Sequence, residues 1–159
     1  MTQVWPRTEI TYSVRGSLPG VGRLTVADAG EPAAMWSDSP VELRPADRKA
    51  DISIECLPLP LRVLGQAGFP CEDGRPVRCV LNSERFWCRT TDDPGVLLPA
   101  ILVHELGHAL GLPHAEGDTV MWPAWSRAVR RSPSSADLAV LGYLYGPPCK
   151  NDHTTGRSG

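Results

Sequence analysis

The chain has 159 residues, 42% of them hydrophobic, and 16 basic against 18 acidic side chains give a formal net charge of −2 at pH 7. That is enough chain for one domain with its own core and too little for two, and with the two signs interspersed nothing points to nucleic acid or anionic lipid as a partner. The longest apolar run, Val96 to Val103, is far too short for membrane insertion, and the densest basic group, Arg127, Arg130 and Arg131, reads as a solvated loop.

Ile10 to Val14 alternates apolar and polar residues as a strand does, and Thr25 to Trp36 carries small and apolar residues consistent with a helix. Val41 to Leu43 reads as a second short strand and Asp51 to Glu55 as a third with clean period-two alternation. Strand, helix, strand, strand predicts an α/β sheet with the helix crossing over it. Leu57 to Arg75 is rich in Pro and Gly and reads as a long loop with one edge strand near Leu64 to Ala67, followed by a last strand from Val77 to Asn82. Asp92-Asp93-Pro94-Gly95 supplies acidic caps and a proline for a helix from Val96, and Ile101, Leu102, Leu106, Ala109 and Leu110 give it a core face. Ser134 to Asp137 opens a last helix that ends at Gly146-Pro147-Pro148, and a polar tail follows.

Five cysteines, Cys56, Cys71, Cys79, Cys88 and Cys149, predict disulfides, an oxidising compartment and a secreted protein. Cys71 and Cys79 bracket the turn-forming Glu72 to Pro76 and are the first candidates for a local bridge; the odd count leaves one thiol free or bonded to another chain. The first residues, Met1 to Pro6, show no charged and then apolar leader, so any signal or pro-segment is expected to have been removed or left out of this sequence.

The chemistry is concentrated in His104-Glu105-Leu106-Gly107-His108-Ala109-Leu110-Gly111-Leu112-Pro113-His114. His104 and His108 are one helical turn apart, so their rings leave the same face and can meet one metal ion. Glu105 follows the first ligand, where its carboxylate can flank the metal and take a proton from water as general base. Gly111 stands where a helix ends at positive φ, letting the chain turn back and deliver His114. Three neutral imidazoles leave a fourth tetrahedral position open, as catalytic zinc sites do and structural ones do not. By average residue usage the five specified positions would coincide by chance in about one chain of this length in a hundred thousand. These residues predict a zinc-dependent endopeptidase with one catalytic Zn2+ and a protein or peptide substrate. A binding or inhibitory module that has lost activity is disfavoured by the intact Glu105, and a closed structural zinc domain by the missing fourth ligand.

The full motif, with Met121 seven residues beyond His114, resembles the metzincin zinc peptidases, and among them the matrixins. Leu24 to Trp36, Pro40 to Leu43, Ala50 to Ile54, Met121 to Trp125 and Ala136 to Gly146 extend the resemblance. It implies a metzincin-like α/β (α+β) fold: a twisted mixed sheet of about five strands, two long helices, a zinc cleft and a small C-terminal subdomain ending in a helix. Residues 1–149 would be one catalytic domain, with subdomains of about 1–111 and 112–149, and 150–159 a flexible tail. The resemblance assigns Met121 to the Met-turn beneath the metal, and Pro123 and Trp125 to the wall of the pocket for the residue after the cleaved bond. Asp137 matches a carboxylate that ties the last helix to the Met-turn region. With Trp122, Trp125 and Leu98 available as apolar lining, a medium or large apolar residue is expected after the cleaved bond. His153 is the fourth and last histidine, so a second, structural zinc is not expected. The loop between Leu57 and Val77 lacks the glycine- and aspartate-rich segment that binds calcium in that family, which leaves Ca2+ open. Ala115 and Ala136 replace residues usual in matrixins, and the pattern fits a small, secreted, bacterial-type monomer.

Overall fold

In β1 (Glu9–Val14) Ile10 and Tyr12 are buried, in β5 (Ile52–Leu57) Ile52 and Ile54, and in β7 (Val77–Asn82) Val77, Cys79 and Leu81, so each strand turns one alternating set of apolar side chains to the same core. This is a computed structural model, and it describes residues 3–126 and 131–146. The main sheet has the order β4-β1-β5-β7-β6, with β4 spanning Glu42–Pro45 and β6 Gly65–Ala67. The β1–β4, β1–β5 and β5–β7 pairs are parallel; β6, at the edge opposite β4, alone in this sheet runs antiparallel, against β7. Parallel β1 and β4 need a crossover, and α1 (Val26–Ala34) provides it. Short pairs of β2 (Ser17–Leu18) with β3 (Gly22–Arg23), and of β8 (Trp87–Cys88) with β9 (Val96–Leu97), complete the strands.

The mixed α/β fold follows the sequence reading, with the expected strands displaced by at most two residues. The second helix, α2 (Leu98–Ala109), packs beside α1 and across β6 and β7. Ten of its twelve residues are buried, so it is a helix apolar nearly all round and enclosed by its neighbours. Its start differs from the expected one. Gly95, at φ 121°, brings the chain against β8, where Val96 N–H donates to Phe86 C=O at 2.9 Å. Val96 and Leu97 are therefore strand, and the helix begins at Leu98 with Pro99 in its first turn and no acidic cap. α3 (Ser135–Tyr145) begins as expected: Ser134 Oγ accepts from Asp137 N–H at 3.1 Å, and Asp137 Oδ2 accepts from Ser134 N–H at 2.8 Å.

The expected disulfide is not formed. Cys56, Cys71, Cys79 and Cys88 are free thiols. Cys79 is fully enclosed on β7, its side chain turned to the core, while Cys71 is exposed at the start of a turn. Cys149, Arg127, Arg130, His153 and the 150–159 tail lie outside the described residues.

Candidate metal centre

α2 carries His104, Glu105 and His108 on its cleft side, and its C-terminal turn delivers the third imidazole. Leu112 N–H donates to Gly107 C=O at 3.0 Å and Gly111 N–H to His108 C=O at 2.9 Å, the paired bonds that close a helix through a residue at positive φ. Gly111 has φ 109°, and a Cβ there would lie 2.5 Å from the Gln3 carbonyl oxygen, so glycine is required twice over. The reversed chain then presents His114.

Each helical histidine is oriented by a backbone carbonyl. His104 Nδ1 lies 2.7 Å from Val120 C=O and His108 Nδ1 lies 2.7 Å from Leu112 C=O. A carbonyl only accepts, so both Nδ1 atoms carry the proton and both Nε2 lone pairs are free for a ligand. Burial lowers the pKa of both rings, that of His108 to about 4, which keeps them neutral as metal binding requires. The Nε2 atoms of His104 and His114 are 3.3 Å apart. Two tetrahedral zinc ligands at 2.0–2.1 Å from the ion would stand about 3.3–3.4 Å from each other. The ligand atoms of all three rings lie within 4.8 Å of one another, and among the described residues this is the one such group of three metal-ligating side chains. Donor type, protonation and spacing all fit a divalent ion such as zinc. In the 57–77 loop the two carboxylates are Glu72 and Asp73; Asp73 Oδ2 is 2.5 Å from Arg75 Nε, and no comparable cage forms there.

Glu105 is 5% exposed, its Oε2 has no hydrogen-bond partner, and burial pushes its carboxyl up to about 8. An acidic group held dry beside three imidazoles is poised to hold or give up a proton. Gly65 of β6 passes directly over it: a Cβ at that position would stand 2.7 Å from Glu105 Oε1. These groups line a cleft of about 830 Å³ together with Phe69, Trp122, Pro123 and Trp125. Phe69 meets His108 edge-on, with ring centroids 5.4 Å apart. Leu98, expected in the lining, is 1% exposed and packs in the core instead.

Met121 does not line the cleft; it is 1% exposed and seated beneath α2. A Cβ on Gly107 would lie 2.4 Å from Met121 Sδ and 3.1 Å from Trp36 Cζ2, so this mid-helix glycine creates the Met121 seat. Asp137 acts from outside the cleft. Its carboxylate accepts from the Thr119 hydroxyl, from Val120 N–H at 3.1 Å and from Ser134 N–H and Oγ–H at 2.8 and 2.9 Å. Val120 is the residue whose carbonyl holds His104. The sequence reading missed Gly65, Gly107 and Phe69; only Gly107 left a signal, as a glycine inside a helix that its neighbours otherwise favour.

The family model described as matrixin matches residues 4–146. Stromelysin-1 of Mus musculus is 30% identical over 161 residues, covering 91% of this chain and 33% of that protein. Matrix metalloproteinase-27 of Homo sapiens is 32% identical over 159 residues, covering 89% of this chain and 30% of that protein. Matrix metalloproteinase-26 of Homo sapiens is 32% identical over 93 residues, covering 57% and 34% respectively. The chain thus spans about a third of the length of the curated relatives it matches.

Proposed function

The chain belongs to the matrixin family, and from that premise we propose that it is a zinc-dependent endopeptidase in which His104, His108 and His114 hold the metal and Glu105 is the general base. The observation that carries this reading is the convergence of three imidazoles beside one buried, unpartnered carboxyl group in an open cleft. Zinc bound there would supply a Lewis acid and lower the pKa of its water to about 7. The rest is done by the chain. Glu105, whose carboxyl would return toward its ordinary range beside a divalent cation, takes a proton from the attacking water and passes it to the departing amide nitrogen. The carbonyls of Val120 and Leu112 fix the tautomer and aim of the two helical rings.

The free edge of β6 offers main-chain hydrogen bonds to an extended peptide, and Gly65 lets that strand run close over Glu105. Pro123 and Trp125 form the wall for the residue after the cleaved bond, with preference for a medium or large apolar side chain. Residues 1–149 act as one catalytic domain, with the cleft between the part up to about 111 and the part beyond it, and the protein is secreted and monomeric. Digestion of an unstructured, casein-like protein tests the reading. Wild type should cleave it, lose activity to a chelator and regain it with zinc, while Glu105→Gln should bind zinc and be slower by on the order of 10²–10⁴-fold. Equal activity of the two proteins would overturn the assignment.

A further inference from the structure

One end of the cleft carries uncompensated positive charge. Arg62 and Arg85 both line it, and among the described residues they are its only charged side chains besides Glu105 and the histidines. Arg85 Nη1 donates to the Leu61 carbonyl at 2.6 Å, which brings the Arg85 guanidinium to the turn before β6 that carries Arg62. That bond uses one of the five donors of Arg85. Arg62 is exposed, and neither arginine has a carboxylate partner among the described residues. Several arginines elsewhere are matched: Arg15 and Arg78 flank Glu55, Arg89 pairs with Asp28, and Arg75 with Asp73. Two cations without a carboxylate partner lining one cleft form an attractive site for a carboxylate, which a guanidinium fork binds well.

The polarity of the bound peptide decides which of its residues meets them. β6 already pairs antiparallel with β7, and antiparallel pairing is the more stable arrangement per residue for its free edge. β6 runs from Gly65, above Glu105, away from Arg62. An antiparallel peptide therefore runs toward Arg62, and its residues after the cleaved bond lie at the basic end. Arg62 precedes Gly65 by three positions, in the turn that Val63 N–H closes onto Pro60 C=O at 2.8 Å, so the chain between them spans at most about 10 Å.

Resting on the endopeptidase reading, we propose that this cleft selects substrates bearing an aspartate or glutamate about two to four residues to the C-terminal side of the cleaved bond, with Arg62 and Arg85 as the residues that recognise it. The apolar pocket nearer the metal is a separate determinant.

The test uses three quenched fluorescent peptides identical except for Glu, Ala or Lys at the third residue after the cleaved bond. Their kcat/KM values are compared in wild type and in Arg62→Glu at about 0.01 M and about 1 M salt, where the screening length falls from about 30 to 3 Å. For wild type at low salt we expect Glu above Ala above Lys, with a three- to tenfold step between the extremes that collapses at high salt. In Arg62→Glu, which takes the pair from two positive charges to none with Arg85 still in place, the three values should converge at low salt, a change of ratio that misfolding or general loss of activity cannot produce. Equal values for the three peptides in wild type, or a spread that Arg62→Glu leaves unchanged, overturn the proposal. Failure to cleave even the Ala peptide with zinc present instead overturns the endopeptidase reading, and the proposal with it.

Discussion

Replacing Asp137 by alanine should damage both the fold and the metal centre, although Asp137 lies outside the cleft. Its carboxylate is 4% exposed and serves donors from two segments, Thr119 and Val120 on one side and Ser134 on the other. Hydrogen bonds to a charged acceptor contribute about 1.5–3 kcal/mol each, and a buried N–H left without an acceptor costs about 1–3 kcal/mol. These terms overlap, and the two hydroxyls can turn to other partners, whereas Val120 N–H and Ser134 N–H cannot. A net loss of about 3–5 kcal/mol follows, equivalent to a fall in Tm of about 10 °C in a chain of this size. Because Val120 C=O orients His104, zinc affinity should fall as well, by roughly 10–100-fold as for other partners of metal-bound histidines. Burial alone would raise the Asp137 pKa, but the bonds from Thr119, Ser134 and Val120 outweigh it and hold the carboxyl below its ordinary value. Stability from this group is thus present above the ordinary carboxyl pKa of about 3.9 and is lost as pH falls through the lower folded value. Denaturant unfolding gives the stability change, and competition with a chelator gives the affinity. A loss below about 1 kcal/mol with unchanged zinc affinity would refute the link between α3 and the metal centre.

Gly107→Ala reverses the usual helix preference, in which alanine gains about 1 kcal/mol over glycine; the clash with Met121 should make it destabilising by about 1–3 kcal/mol in thermal unfolding. Asn82 is fully buried, its Oδ1 accepting from Leu59 and Glu84 N–H and its Nδ2 donating to Pro60 and Val63 C=O. Asn82→Ala should cost about 2–4 kcal/mol and open the 58–64 loop to limited proteolysis, since four bonds lose one hub. In the metal-free protein the depressed pKa values of His104 and His108 mean that the unfolded chain binds the extra protons. The contribution of these rings should therefore fall as pH drops from about 6.5 toward the folded value of about 4 for His108, against the opposite slope from Glu105, raised to about 8, and the difference between wild type and His108→Gln in denaturation midpoints in chelator isolates the histidine part.

The parts of this fold that could be read from the sequence are those in which residue identity sets the physics. Period-two burial in β1, β5 and β7, the capping box at Ser134 and the positive φ at Gly111 each demand particular residue types at particular spacings. The imidazole trio was legible for the same reason, since only histidine at that spacing makes it. What could not be read are contacts made by groups every residue owns. Val120 and Leu112 orient the rings through backbone carbonyls, and any side chain would leave those carbonyls in place. Likewise Asp92 to Gly95 have the composition of a helix start, but the local preference yields to pairing of Val96 and Leu97 with β8. The Cys71 and Cys79 spacing suggested a bridge because a turn separates them, yet strand alternation had already committed Cys79 to the core.

The end of α2 shows why the tripod can be built on a helix terminus without becoming loose. The last four carbonyls of a helix have no partner within it, and an unsatisfied helix end would fray at the turn that separates His108 from His114. Here each is taken. Gly107 C=O and His108 C=O accept from Leu112 and Gly111 N–H in the terminal turn, Ala109 C=O accepts from Trp5 Nε1–H at 2.8 Å, and Leu110 C=O from Tyr145 O–H at 2.7 Å. Two of the four partners come from the N-terminal segment and from the end of α3, more than a hundred residues and thirty-five residues away in sequence. The turn that sets the third imidazole is therefore held by the tertiary fold as well as by local geometry. Because Asp137 lies on α3 too, that helix supports two sides of the centre at once, the His104 carbonyl through Val120 and the helix end through Tyr145.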